Sequence, residues 1–163
     1  MPVSSGTATV TLPTDEQILI TREFDAPKDL VWKAWTTPEL VKRWWGAKRG
    51  EVTLAEIDLR VDGKWRYVAV TPDGYEVAFH GVYREIVPNG RLVSTEAFEG
   101  VPDPDANATV NTATFTEEDG RTTLTILVEA PSKEIRDAII DSGMEAGMQD
   151  ALDLLEEVAA SLR

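Results

Sequence analysis

The segment "EQILITREF" sets Ile18, Ile20 and Phe24 on one side of an extended chain and Gln17, Thr21 and Glu23 on the other. That alternation predicts a strand with one buried face, and Leu19, which breaks it, predicts partial cover on the second. From Pro27 the period lengthens. "PKDLVWKAWTTPELVKRWW" carries Leu30, Val31, Ala34 and Trp35 at helical spacing, then Thr37 and Pro38 as N-cap and first-turn proline of a second short helix. Leu40, Val41, Trp44 and Trp45 follow, and Gly46 ends the pair. Beyond Gly50 the alternation returns in six segments: "EVTLAEIDLRV", "KWRYVAV", "YEVAFHGVYREIV", "RLVSTEAF", "ATVNTATFT" and "RTTLTILVEA". Asp62-Gly63, Asp73-Gly74, Asn89-Gly90 and Asp119-Gly120 stand at joints between them, which predicts hairpins and therefore an antiparallel meander. One joint, "EGVPDPDAN" at 99–107, is longer and holds two prolines, so a mobile rim loop is expected there.

The last segment has Ser132 as N-cap and predicts a helix of roughly 28 residues. Its apolar positions, Ile135, Ile139, Met144, Met148, Leu152, Leu155 and Val158, form one broad stripe that needs an apolar partner. The inner face of the sheet is the only one large enough. The expected class is α+β: a curved antiparallel sheet wrapped around a long C-terminal helix, with two short helices after the first main strand. Residues 1–8, polar and rich in Ser, Gly and Thr, are expected to be a flexible leader, with 9–162 a single domain.

Composition narrows the partners. The 163 residues carry 16 Lys and Arg against 29 Asp and Glu, a formal charge of −13. This disfavours nucleic acid, and Lys42, Arg43, Lys48 and Arg49 form too short a basic run to reverse it. The absence of cysteine removes disulfides and thiolate chemistry. No apolar run is long enough for a membrane span and no secretory pattern opens the chain, so a cytoplasmic protein without integral membrane association is expected.

Four stretches, "REFDAPKDLVWKAWTTPELVKRWWG", "DLRVDGKWRYV", "PDGYEVAFHGVYREIVPNGRLV" and "GMEAGMQDALDLLEEV", resemble the successive motifs of the bacterial branch related to the C-terminal domain of the Hsp90 ATPase activator. That branch lies within the START and Bet v 1-like (SRPBCC) superfamily. The resemblance implies a helix-grip fold with an apolar cavity between the long helix and the sheet. It brings no universal catalytic residues. Two departures stand out: Asp62-Gly63 where relatives often have a double glycine, and Met148 where they often have an aromatic residue.

Parity assembles a candidate site. Trp65 and Tyr67 share one side of their strand, and Phe79, Gly81 and Tyr83 one side of the next. Facing inward, Trp65, Tyr67, Phe79 and Tyr83 make an aromatic patch toward Met144 and Met148, with tyrosine hydroxyls able to orient a ligand. Plain core is the better single explanation for any one of these aromatic residues. Gly143 and Gly147 are explicable as close packing, as a tolerated bend, or as room left for a ligand. In "RWWG" the two indoles diverge by about 100 degrees, so one should anchor the helix while the other approaches the cavity mouth near "DPDAN". Trp45, beside Gly46, is assigned to the mouth.

His80, the only histidine, shares parity with Ala78 and Val82 and is expected on the opposite face. A lone histidine without cysteines makes a poor metal site. "DPDAN" imitates the start of a calcium loop but has Ala108 and Thr114 at the positions that need glycine and glutamate. No phosphate-binding, dinucleotide-binding or nucleophile-elbow motif occurs, so neither catalytic residues nor a cofactor or metal is assigned. The expected function is non-enzymatic binding or carriage of a small hydrophobic or aromatic ligand. The alternatives are a co-chaperone-like module with a chaperone partner, and a cyclase-, aromatase- or hydrolase-like enzyme using cavity Tyr, Arg or carboxylate groups. The edge tendency of "TATVTL" adds an expected monomer–homodimer equilibrium.

Overall fold

The computed structural model describes residues 7–46 and 50–163. Eight strands, β1 (Thr9–Thr11), β2 (Gln17–Phe24), β3 (Glu51–Ile57), β4 (Lys64–Val70), β5 (Glu76–Val87), β6 (Arg91–Phe98), β7 (Thr109–Glu118) and β8 (Arg121–Glu129), form one antiparallel sheet. Its order is β1-β2-β8-β7-β6-β5-β4-β3. Consecutive strands from β3 to β8 are neighbours, as their turn residues require. Asp62, Asn89 and Asp119 adopt positive φ, at 69°, 62° and 54°. Short polar side chains tolerate that region, which accounts for an aspartate where relatives carry a glycine.

β2 and β3 lie near opposite ends of the sheet, so the chain between them must cross the concave face. It does so as α1 (Lys28–Thr36) and α2 (Pro38–Trp44). Pro38 occupies the first turn of α2, where its missing N–H costs nothing, and Val31, Trp32, Ala34, Val41 and Trp44 are buried.

The C-terminal segment departs from the expected single helix. It is divided into α3 (Lys133–Asp141) and α4 (Met144–Ser161), with Ser132 capping α3 through an N–H bond from Ile135 at 3.2 Å. The break lies at Gly143, whose φ of 83° belongs to the left-handed region; a Cβ there would meet nothing within 4 Å. Of the readings open to this glycine, the bend is the one it serves: it changes the chain direction. The 18-residue α4 then runs across the concave face, close to α1 and α2.

At the β2 end the contact between α4 and the sheet is dry. Ile18, Phe24 and Leu155 are completely buried and Leu124 nearly so. Arg22 shares their inward parity and is itself buried, paired with Asp153 at 3.0 Å and Glu156 at 3.2 Å on α4. Glu156 also accepts the Asp25 N–H at 2.8 Å, pinning the helix to the strand end. Ala8, assigned to the flexible leader from its sequence, is buried and exchanges two 2.9 Å hydrogen bonds with the Gln149 side chain.

Candidate functional site

The inward parity of β4 to β7 is fixed by register. Trp65 pairs with Gly81, Tyr67 with Phe79, and Phe79 with Phe98. Glu96, two residues from Phe98, therefore shares their face, as do Ser94 and its β7 partner Asn111. Gly81 is required here: a Cβ would fall 1.8 Å from the Thr95 carbonyl oxygen and 2.5 Å from the Trp65 indole nitrogen. The space is taken by that indole, whose N–H donates to the Thr95 carbonyl at 3.1 Å.

All seven sequence-derived site residues are on this side of the sheet. Trp65 and Tyr67 are buried with ring centroids 4.7 Å apart, and Trp45 meets Tyr67 and Phe79 edge-on at 5.3 and 5.4 Å. Phe79 continues to Phe98 at 5.0 Å. Tyr83 is buried and hydrogen-bonded through its hydroxyl to Tyr67. Burial pushes both phenols up, so both are neutral donors and acceptors at any physiological pH. Met144 and Met148, on the first turns of α4, are partly buried against the same core.

The adjacent tryptophans divide. Trp44 is buried, donates its indole N–H to the Ala34 carbonyl at 2.9 Å and stacks on Trp35 at 5.1 Å. Trp45 keeps accessible surface and meets the aromatic rings of β4 and β5. Its expected neighbour, the 99–107 loop, is tied elsewhere. Asp105 bonds His80 on the convex face, opposite Phe79, and Asn107 donates back to the loop carbonyls of Pro102 and Asp103.

A polar cluster at the floor of the face was missed from the sequence. The Asn111 amide donates to a Glu96 carboxylate oxygen at 2.6 Å, and the buried Thr109 hydroxyl donates to the Asn111 carbonyl at 2.9 Å. Burial raises the Glu96 carboxyl above its ordinary range, against a smaller lowering by Asn111. Glu96 and Asn111 face the concave side and are partly accessible. The signal that could have found them is parity: in "VSTEAF" and "TVNTATF" a glutamate and an asparagine occupy positions that alternation assigns to the core.

The convex face holds different chemistry. Arg66 forks onto Glu99 at 2.8 and 2.9 Å, and the two nitrogens of His80 meet Glu99 at 2.8 Å and Asp105 at 2.6 Å. A shallow groove of about 490 Å³ runs beside Arg66, His80, Glu99 and Asp105. The two carboxylates approach His80 from opposite sides of the ring, so the three groups do not converge on a point where a cation could sit. Among the described residues no helix is long and apolar enough to cross a membrane.

A curved antiparallel sheet with a helix laid in its concavity and an aromatic, partly polar lining defines a helix-grip protein. The chain belongs to the family described as activator of Hsp90 ATPase homolog 1-like protein, whose model matches residues 25–160. No curated protein matches it. Among solved structures it is similar to a Rhodobacter sphaeroides protein, with 25% identity, 96% of this chain and 99% of that one covered, and a TM-score of 0.87. A Mycobacterium smegmatis protein gives 27%, 93%, 96% and 0.82, and an Arthrobacter aurescens protein 27%, 94%, 91% and 0.83. Family and fold together support a general ligand-cavity or binding role.

Proposed function

We propose that this chain binds or carries a small hydrophobic or aromatic molecule between α4 and the β4–β7 part of the sheet. The observation that carries the reading is the residual accessibility of Trp45, Phe79, Glu96 and Asn111, all placed on the concave face where a fully packed core would leave none. An apolar wall with a few convergent polar groups is the usual composition of a small-molecule site. The site is proposed to comprise Trp45, Trp65, Tyr67, Phe79, Tyr83, Met144 and Met148, with Glu96 and Asn111 at its floor. Native mass spectrometry of the full chain, purified from the organism that makes it, tests this. An adduct of a few hundred daltons, released on denaturation, is the expected result. A mass equal to that of the bare chain, with no response to a panel of apolar probes, counts against it.

A second reading, acid–base chemistry on the bound molecule, is favoured by the buried carboxyl of Glu96 with its raised pKa beside the Tyr67 and Tyr83 hydroxyls. Incubating the extracted molecule with fresh protein separates the two. Quantitative recovery of unchanged compound supports binding alone, and conversion that Glu96→Gln abolishes supports catalysis.

A further inference from the structure

The inference rests on the binding reading and concerns what the cavity accepts. Its polar floor has an acidic carboxyl, an amide and hydroxyls. The two buried cations of the described residues are engaged elsewhere: Arg22 pairs with Asp153 and Glu156 at the β2 end, and Arg136 donates to the Thr14 carbonyl at 2.8 Å. A ligand carboxylate entering beside Glu96 would meet a like charge and, among the described residues, no buried counter-ion, which is costly in a low-dielectric setting. A ligand ammonium would meet the reverse. It would be received by Glu96, and it would gain further attraction wherever it lay over the face of one of the rings of Trp45, Tyr67 and Phe79, which pack against one another. The overall charge of −13 adds long-range attraction for a cationic ligand and repulsion for an anionic one.

We infer that the cavity selects hydrophobic amines: molecules with an aromatic or apolar body and one protonated nitrogen, seated against the Glu96–Asn111 pair. Glu96 is the specificity-determining residue, and Asn111 positions it, since its 2.6 Å bond holds one carboxylate oxygen. Thr109, accepted by the Asn111 carbonyl at 2.9 Å, fixes the orientation of that amide. Among the described residues the titratable group that interacts with Glu96 is Tyr67 on β4, itself hydrogen-bonded to Tyr83 on β5, and β7 supplies Asn111 and Thr109. With both phenols neutral, Glu96 is the group whose charge a ligand can change.

Three probes with one body separate the possibilities: naphthylmethylamine, naphthalenemethanol and naphthoic acid, titrated calorimetrically into the full chain at neutral pH. The amine should bind at least tenfold more tightly than the acid, with the alcohol between them. Because burial raises the Glu96 carboxyl, amine binding on the acid side of neutrality should also release protons, read as a dependence of the heat on buffer ionisation enthalpy. Glu96→Gln should reduce the amine-to-alcohol ratio to about one. The ranking with unaltered protein stands whether or not that variant folds. Equal affinity for all three, or an acid preference, overturns the amine inference and leaves the cavity reading intact. Failure of all three to bind removes both.

Discussion

The concave face has two ends built from the same kind of strand, and they differ in what they do with inward positions. Under β2 and β8 every inward side chain is used for packing: Ile18, Phe24, Leu124 and Leu155 are sealed, and the one charge, Arg22, is paired on both sides by α4. Under β4 to β7 the same alternation delivers aromatic rings, a carboxyl and an amide, several of them partly accessible. Alternation places a residue on a face without deciding whether that face is filled. The filling depends on where α4 begins. Its C-terminal half carries Leu152, Leu155 and Val158, all buried, whereas its first turns offer Met144 and Met148, which are not fully covered, just after the break at Gly143. One end holds the helix; the other leaves room.

The sharpest way to break that contrast is a matched pair on α4. Leu155→Ala should cost about 2–5 kcal/mol, because a sealed site loses both transfer energy and packing. Met148→Ala should cost about 1 kcal/mol or less, since its side chain is already partly exposed, and should instead alter probe affinity. Urea unfolding of both variants measures this. Equal losses would mean that the two ends are packed alike.

A second pair lies within "RWWG". Trp44→Ala removes a buried indole, its bond to Ala34 and its stack on Trp35, for a cost of about 3–5 kcal/mol. Trp45→Phe keeps an aromatic ring against Tyr67 and Phe79 and should cost under about 1 kcal/mol while weakening ligand binding. Comparable destabilisation with unchanged affinity per folded molecule would place both indoles in the core.

Glu96 allows a test in which stability and binding move in opposite directions. Its folded pKa is raised, so the folded state holds a proton that the unfolded state releases, and stability falls as pH rises from the ordinary carboxylate range through the raised value. Glu96→Gln keeps an acceptor for Asn111 and removes that cost. Its thermal midpoint should exceed that of the unaltered protein at neutral pH and converge with it at pH 4. A lower midpoint at neutral pH would show that the carboxylate is stabilised where it sits.

Local chemistry made much of this legible. β4 and β6 coincide with "KWRYVAV" and "RLVSTEAF", because turn residues bound them on both sides and one face of each is apolar. The faces of Trp65, Tyr67, Phe79 and Tyr83 were readable by strand parity, those of Met144 and Met148 by helical spacing, and Trp45 only from its place beside Gly46. What escaped was polar. Glu96 and Asn111 look like solvated strand residues by type, although they share parity with Phe98 and with Ala113 and Phe115, and the register that confirms their side passes a bulge between Tyr83 and Glu85. The split of the C-terminal helix escaped for a related reason: the periodicity of Ile135, Ile139, Met144 and Met148 runs through Gly143, and only the backbone angle shows that the glycine breaks it. The loop at 99–107 was read by composition as a free rim, whereas a long-range contact from Asp105 to His80 ties it down.

That contact supplies the smallest effect, and it sets the convex face against the concave one. His80 is held by Asp105 first and by Glu99 second, and both raise its pKa. A raised histidine contributes stability that is fully present below the unfolded value of about 6.5 and is lost as pH climbs through the folded one. Glu99 works on the acid side. Arg66, with help from His80, lowers it to about 2, so its contribution is present above the ordinary carboxylate value and is lost as pH falls toward that figure. The carboxylate of Asp105 is 86% exposed, which screens the pair, so His80→Asn should cost about 1 kcal/mol or less at pH 6. The loss should shrink in high salt and vanish at alkaline pH, where the histidine of the unaltered protein is neutral. Thermal melts from pH 6 to 9, with and without added salt, measure it, and probe affinity should not change in the variant. A large, salt-independent cost, or a change in binding, would mean that the loop on the convex face supports the cavity after all.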